Sequence, residues 1–516
     1  MTARLDINSS LKRIHLGSAL AATFLFVAAF AVYLPYFRNP LVFDDFGLFG
    51  GGSFHIAAIA PWEIGPRGLP YFTLAFVQTV FGQMWVHRLL SCILHALCAW
   101  CLFLFVRDLL RDGSSRSAPP QELDRSYWAA LVAAGAFVVH PVAVYGAGYL
   151  IQRSIVLATL FAILCLRALR SGIISRDRIS IPLAALLYML SVLSKEHALT
   201  LILVAPALAV LTGRLRGIAA TRGIVTFLAL SIPFALMIVL QRAEFVAVAY
   251  EPYLGELQQE RFGPPAFASH FDSWFASTSM QAQMFFKYAL LWFWPDTSQM
   301  AVDLRIDLAG VGTGARAWLS LLAFLVTGTI AAVVLLRTGG ILAVAAFAVL
   351  YVCAMFLIEL GAIRFQEPFV LYRSYLWAPA YAIAFGLVLR RLPAIAVIGV
   401  AVVALPFLGA AAHNRLETFQ SDLALWNDAM AALPRTEMAG ARRIYFLRGR
   451  ALYLSGRYED ALRDAEVAVY LAPENARMRI ARGSALLELG RLDEAAKDFE
   501  AATRLAPRDP RAYLLL

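Results

Sequence analysis

Charge is scarce in this 516-residue chain, and so is cysteine. Charged residues make up 16% of it, against about 25% in a typical soluble protein, while hydrophobic residues reach 60%. Mean hydropathy is +0.67. One buried core cannot absorb that excess, because a soluble protein must also cover its surface with polar groups; a water-soluble enzyme is excluded. Aromatic residues at 12%, with long apolar runs, exclude a disordered chain. The five cysteines (Cys92, Cys98, Cys101, Cys165, Cys353) all lie inside apolar runs and supply no disulfide or metal framework. There is no P-loop, no Gly-x-Gly-x-x-Gly after a strand and no Gly-x-Ser-x-Gly elbow, so ATP-driven transport and serine hydrolysis lack support. No His-x-x-x-His with an acidic partner supports a zinc site. What remains is the composition of a polytopic membrane protein.

Net charge is +10, but the basic residues sit mainly between apolar runs, as the positive-inside rule expects, so no nucleic-acid partner is read from it. The first run, 16–36, follows Arg4, Lys12 and Arg13 and reads as a signal anchor with a cytoplasmic N-terminus. Further runs fall near 85–106, 127–144, 154–171, 180–194, 197–212, 223–240, 316–336, 339–358, 374–389 and 392–411, about eleven spans in all. Basic clusters such as Arg107/Arg111, Arg167/Arg170, Arg214/Arg216 and Arg390/Arg391 mark every second junction as cytoplasmic. An odd count puts the C-terminus outside: periplasm in a bacterium, lumen in a eukaryote. The long outer loops are then about 37–84 and 241–315, and 285–295 reads as an interfacial or re-entrant helix.

After about 412 the apolar runs stop. Residues 441–474 and 475–508 repeat at a period of 34: Gly449/Gly483, Gly456/Gly490, Arg457/Arg491, Ala461/Ala495, Ala468/Ala502 and Pro473/Pro507 keep that offset. This is the tetratricopeptide (TPR) pattern, two helices per repeat with small residues where they cross. The expected fold is all-α: a helical membrane domain over 1–412 and a TPR solenoid over 413–516 on its non-cytoplasmic side, with 416–433 as a degenerate capping helix.

Charges at span ends are costly and are therefore candidates for function. Asp44-Asp45 follows the first span; neighbours in extended chain point apart, so one carboxylate can face a pocket while the other is held. Phe43 and Phe46 would desolvate the pair and raise a carboxyl pKa toward general-base use, and Gly50-Gly51-Gly52 would admit close backbone approach. Three further groups lie on the same inferred face: His140, Tyr149, Gln152 and Arg153; Lys195, Glu196 and His197; and Arg364, Glu367, Tyr372, Arg373 and Tyr375. Several cations beside a carboxylate pair suit a phosphate-bearing substrate. His87, with Arg88 beside it, and His95 lie on one span and are further candidates. The plainer readings are a solvated acid pair, snorkelling cations and packed histidines.

These segments resemble a family. VFDDFGLF after the first span is similar to the acidic motif in the first luminal loop of GT-C glycosyltransferases. HPVAVYGAGYLIQRS, LSVLSKEHALT, TSMQAQMFFKYALLWFWPDTSQMAVD and FVLYRSYLWAPA, followed by TPRs, resemble bacterial relatives of the transmembrane and TPR O-mannosyltransferases. The resemblance implies transfer of a sugar from a polyprenyl-phosphate donor, outside the cytoplasm, with inversion. Asp44 would be the general base, and Asp45 would orient the acceptor or bind a divalent metal. Arg373, then Arg153 and Lys195, would hold the donor phosphate, and 285–295 would border the lipid entry. The TPRs would hold an exported protein as acceptor. Transfer to an envelope glycan or lipid, and a non-catalytic scaffold with a TPR docking tail, stay open beside this reading.

Overall fold

The computed structural model describes residues 2–49, 67–114, 119–241, 270–305, 315–365, 367–508 and 513. Gly50-Gly51-Gly52 and the 242–269 stretch fall outside these. All regular elements among the described residues are helical. Eight of their helices are long and apolar enough to cross a bilayer: Gly17–Tyr36, Met84–Asp112, Leu150–Ser175, Glu196–Arg216, Thr221–Gln241, Ala315–Arg337, Gly340–Gly361 and Ala394–Gln420. The chain is an integral membrane protein.

Three of the eleven apolar runs take another form. The run at 127–144 is a pair of helices, Gln121–Val138 and Pro141–Ala147, bent by 62°. Pro141 cannot continue the hydrogen-bond ladder, and His140 caps the second helix by accepting the Val142 N–H at 3.3 Å. The run at 180–194 is the short helix Ser180–Ser194, which stops before extended Lys195. The run at 374–389 is a 3₁₀ turn, Leu371–Trp377, leading into the twelve-residue helix Ala378–Leu389. Conversely, the apolar 285–293 stretch is the end of a longer helix, His270–Phe293. Trp292 is buried in it, stacked between His140 and Tyr381, while Leu290 and Trp294 face outward.

Met84–Asp112 and Leu150–Ser175 form the centre of the bundle, while Thr221–Gln241, Ala315–Arg337 and Ala394–Gln420 are peripheral. Small residues set the close crossings: a Cβ on Gly172 would meet Ile181 at 2.7 Å, and one on Gly146 would meet the Tyr375 ring at 2.6 Å. Helix Met84–Asp112, 29 residues and so about 43 Å long, fixes two ends of the bundle. At one end Asp108 and Asp112 gather Arg107, Arg167, Arg170 and Arg216, and Arg390 pairs with Glu122. At the other end stands Arg88, beside the loop that carries Asp44.

Helix Ala394–Glu417 runs through position 412 without a break and leads into the tail. There the 34-residue period has a physical counterpart. Helices Ala441–Leu454 and Tyr458–Leu471 are followed by Ala476–Glu488 and Leu492–Leu505. Gly456 and Gly490 end the first helix of each pair with φ of 73° and 74°, which glycine adopts without strain. Arg448–Asp464 and Arg482–Asp498 repeat one ion pair in which the aspartate is buried and the arginine half-buried. Gly449 and Gly483 make room for Asp464 and the Phe499 ring. Helix Asp422–Ala431, with Trp426 fully buried, packs against the first of these helices.

Candidate functional site

The loop after the first span is fixed from beneath by Arg88. Its guanidinium donates to the carbonyls of Asn39 (3.0 Å), Pro40 (2.6 Å) and Gly148 (2.9 Å). Every arm is spent on backbone, so Arg88 is a clamp and does not face a ligand. The two acids that follow point apart. Asp45 is completely buried, and its carboxylate accepts the N–H of Ile151 (3.0 Å) and of Val42 (3.4 Å). Burial pushes its pKa up to about 7 against the pull of Arg88. Asp45 therefore ties the loop to the 150–152 turn; the acceptor-orienting or metal-binding place expected for it is not where it sits.

Asp44 faces the other way and reaches solvent. Its N–H donates to the Tyr149 hydroxyl at 3.1 Å, and the same hydroxyl lies against its carboxylate. The surrounding protein raises the Asp44 pKa, first by desolvation and then by repulsion from Glu367; Arg443, Tyr149 and Lys195 pull it down. The groups at 44, 149, 195, 367 and 372, scattered in sequence, thus act on one another through their charges and hydrogen bonds.

Next to these groups runs a connected set of ionisable contacts. Arg67 forks onto Glu196 (3.1 Å for one arm), Glu196 touches His197 (3.4 Å), and His197 reaches Glu359 (3.0 Å). Glu359, fully buried, also pairs with Arg364 (3.3 Å) and Arg373 (3.1 Å). Arg373 lies 3.6 Å from Glu367, whose other side is bonded by Arg443 of the tail at 3.1 Å. Arg373 is thus neutralised by two carboxylates, which removes it from first place as a phosphate ligand. Lys195 differs: among the described residues no carboxylate lies within 4.0 Å of it, and its ammonium sits over the Tyr372 ring at 5.3 Å. Burial, and then the Arg67 charge, lower its pKa to about 7.

Sequence reasoning missed Arg67, Glu359 and Arg443. Glu359 carried a legible signal, a lone acid inside an apolar run. Arg67 and Arg443 carried none, because only the fold brings them here.

The remaining candidates lie elsewhere or are used for packing. His140 Nε2 meets the Trp292 carbonyl at 3.1 Å. Tyr375 is buried against His95, oxygen to Nδ1 at 2.6 Å, and His95 also meets the Val138 carbonyl. His87 contacts Gln78 (3.2 Å) and the Phe49 ring edge. Gln152 is buried within the 150–152 turn. Arg153, fully buried, donates to the His87 carbonyl (2.8 Å) and Ser91 Oγ (3.3 Å) with no carboxylate partner among the described residues. It also donates to Thr73 of helix Gly68–Val80 at 3.5 Å, so its arms are spent on protein groups.

Among the described residues no three His, Cys, Asp or Glu side chains converge as a metal-ligand set. Cys98 and Cys101 have a Cys-x-x-Cys spacing, but both are buried and free within one span. Beside Phe43 opens a cavity of ≈ 240 Å³ lined by Arg305, Gly440, Arg443, Phe446 and Met478. It shares Phe446 and Arg477 with a groove of ≈ 190 Å³ between Tyr445, Gly449, Tyr453, Ile480 and Ser484 of the tail. A solvent-reaching carboxylate is equipped to accept a proton, and an ammonium with no carboxylate within 4.0 Å among the described residues is equipped to stabilise an anion. In comparisons with known proteins, the tetratricopeptide-repeat family matches residues 480–516. No curated protein and no solved structure matches the chain.

Proposed function

We propose that this chain is a GT-C-like membrane glycosyltransferase that moves a sugar from a polyprenyl-phosphate-linked donor to a hydroxyl of an exported protein. The observation that carries the reading is the solvent-reaching Asp44, held at Tyr149 while Asp45 beside it is turned inward onto Ile151; Lys195 acts on Asp44 through its charge. Asp44 takes the acceptor proton as the hydroxyl oxygen attacks the anomeric carbon. The bond from that carbon to the lipid phosphate oxygen breaks, and the anomeric centre inverts. The leaving phosphate carries the negative charge away and needs no protonating acid. Lys195 supplies the positive charge that stabilises it, in the place first given to Arg373. Arg373 and Arg364, whose charges act on Lys195, are held by Glu359. By the positive-inside rule the arginine-rich end at Asp108 and Asp112 faces the cytoplasm of a bacterium, and Asp44 and the tail, which touch each other, face the periplasm. The test is transfer by the purified full-length protein from a synthetic polyprenyl-phosphate sugar to a Ser/Thr-rich polypeptide. Asp44→Asn should cost about 10²-fold or more; full activity of that variant would remove Asp44 as the base.

The second reading, transfer to an envelope glycan or lipid, is favoured by one observation. The tail contacts the Asp44 loop directly through Asp422, Trp426 and Arg443, so its presence does not by itself call for a protein acceptor.

A further inference from the structure

Phe43, the residue before Asp44, has φ of 50°, the left-handed region that a bulky side chain rarely occupies. Such a conformation persists only where the surroundings hold it. Here the tail holds it from three sides. The Phe43 N–H donates to Asp422 Oδ1 at 2.8 Å. The Phe43 ring meets Trp426 edge-on, with centroids 5.0 Å apart. The Arg443 guanidinium lies over the same ring at 5.2 Å. Each holder is itself fixed. Asp422 is met on its other oxygen by Arg450 of the first repeat, at 3.5 Å. Arg443 reaches Glu367 at 3.1 Å and Asp303 at 3.4 Å, so one guanidinium ties the loop to the stretch before the 3₁₀ turn and to the turn at 303. The preceding stretch is held by the end of the last span: Asn39 Nδ2 donates to the Leu416 carbonyl at 3.4 Å.

From this geometry we infer that the start of the TPR tail is part of the active centre, with Asp422 and Arg443 as positioning residues that set the backbone presenting Asp44. The coupling of loop to tail stands on these contacts alone; that it serves catalysis rests on the reading of Asp44 as base.

The experiment is amide hydrogen exchange over residues 37–49 of the full-length protein in detergent, paired with transfer assays. It compares wild type, Asp422→Ala, Asp422→Asn and Arg443→Met. Asn keeps an oxygen for the Phe43 N–H, whereas Ala removes it. Asp422→Ala should speed exchange at 43 and 44 about 10-fold, as expected for loss of a hydrogen bond to a charged acceptor. Asp422→Asn should stay close to wild type, and exchange over 476–505 should be unchanged in both, which separates local release from misfolding. The transfer kcat should fall with exchange in Asp422→Ala while donor KM holds, and return in Asp422→Asn. Removing the Arg443 charge should also move the acid limb of the pH profile to higher pH, because Arg443 lowers the Asp44 pKa; a merely structural contact would not move it. Exchange in Asp422→Ala equal to wild type overturns the coupling. Faster exchange with undiminished transfer keeps the coupling and overturns the catalytic role of the loop.

Discussion

The Phe43 N–H and the Asp422 carboxylate meet at 2.8 Å across 379 positions of sequence. One hydrogen bond thus joins the first outer loop to the beginning of the repeat tail. Deleting 414–516 would remove Asp422, Trp426 and Arg443 along with the repeats. Such a deletion is expected to stop transfer to every acceptor, whether protein, glycan or lipid, and so cannot tell the two readings apart.

A substitution in the repeat groove can. Ser484 lines the groove beside Tyr445, Tyr453 and Ile480 and is not one of the residues that touch Phe43. Ser484→Trp should fill much of its ≈ 190 Å³. If the acceptor is a protein held there, its KM should rise by about 10-fold or more while a small hydroxyl acceptor is unaffected, since loss of held acceptor lowers effective concentration only. Unchanged KM for the protein acceptor would favour the glycan or lipid reading.

The pH dependence follows from two shifted groups. Asp44 must be ionised to take a proton, so kcat/KM should fall as pH drops through a pKa above the ordinary carboxylate value. Lys195 must be protonated to hold phosphate, so kcat/KM should also fall as pH rises through about 7. The profile is a bell with its alkaline limb near neutrality. Lys195→Met should abolish that limb and cost roughly 10²-fold in kcat/KM, the scale of losing one charge-stabilising donor.

Asp45 separates structure from chemistry. Asp45→Ala leaves the Ile151 N–H without a buried partner and should destabilise by about 1–3 kcal/mol, seen as a lower Tm in detergent. Asp45→Asn keeps an accepting oxygen and should retain both Tm and transfer. Loss of transfer with Tm intact in Asp45→Asn would return Asp45 to the chemistry.

Glu359 is the buried hub between His197, Arg364 and Arg373. Replacing it by Ala leaves cations without their shared counter-charge and should cost about 3–5 kcal/mol. The thermal transition should drop well below that of Asp44→Asn, which removes no buried pair; equal transitions would show that Glu359 is not the hub.

The outline of the fold was legible because its signals are periodic or long. Apolar runs announced the helices, and the 34-residue offset announced Gly456/Gly490 and Gly449/Gly483 at their turns and crossings. Asp44 and Asp45 were legible as a pair pointing apart. Which acid was free, and which cation was unpaired, were not. Arg373 and Lys195 look alike in sequence, and only the position of Glu359, fourteen residues before Arg373, decides that one is neutralised and the other is not. The tail's grip on Phe43 was equally hidden, because nothing local distinguishes Asp422 or Arg443 from any helix-surface charge.

Asp44 is proposed as the base of a sugar transfer to exported protein. Its most direct test is the intact mass of exported proteins from cells with the wild-type gene, with Asp44→Asn, or with no copy. A mass increment of one sugar unit is expected on at least one protein in wild type, absent from both others. An increment that persists in Asp44→Asn but vanishes without the gene would contradict it.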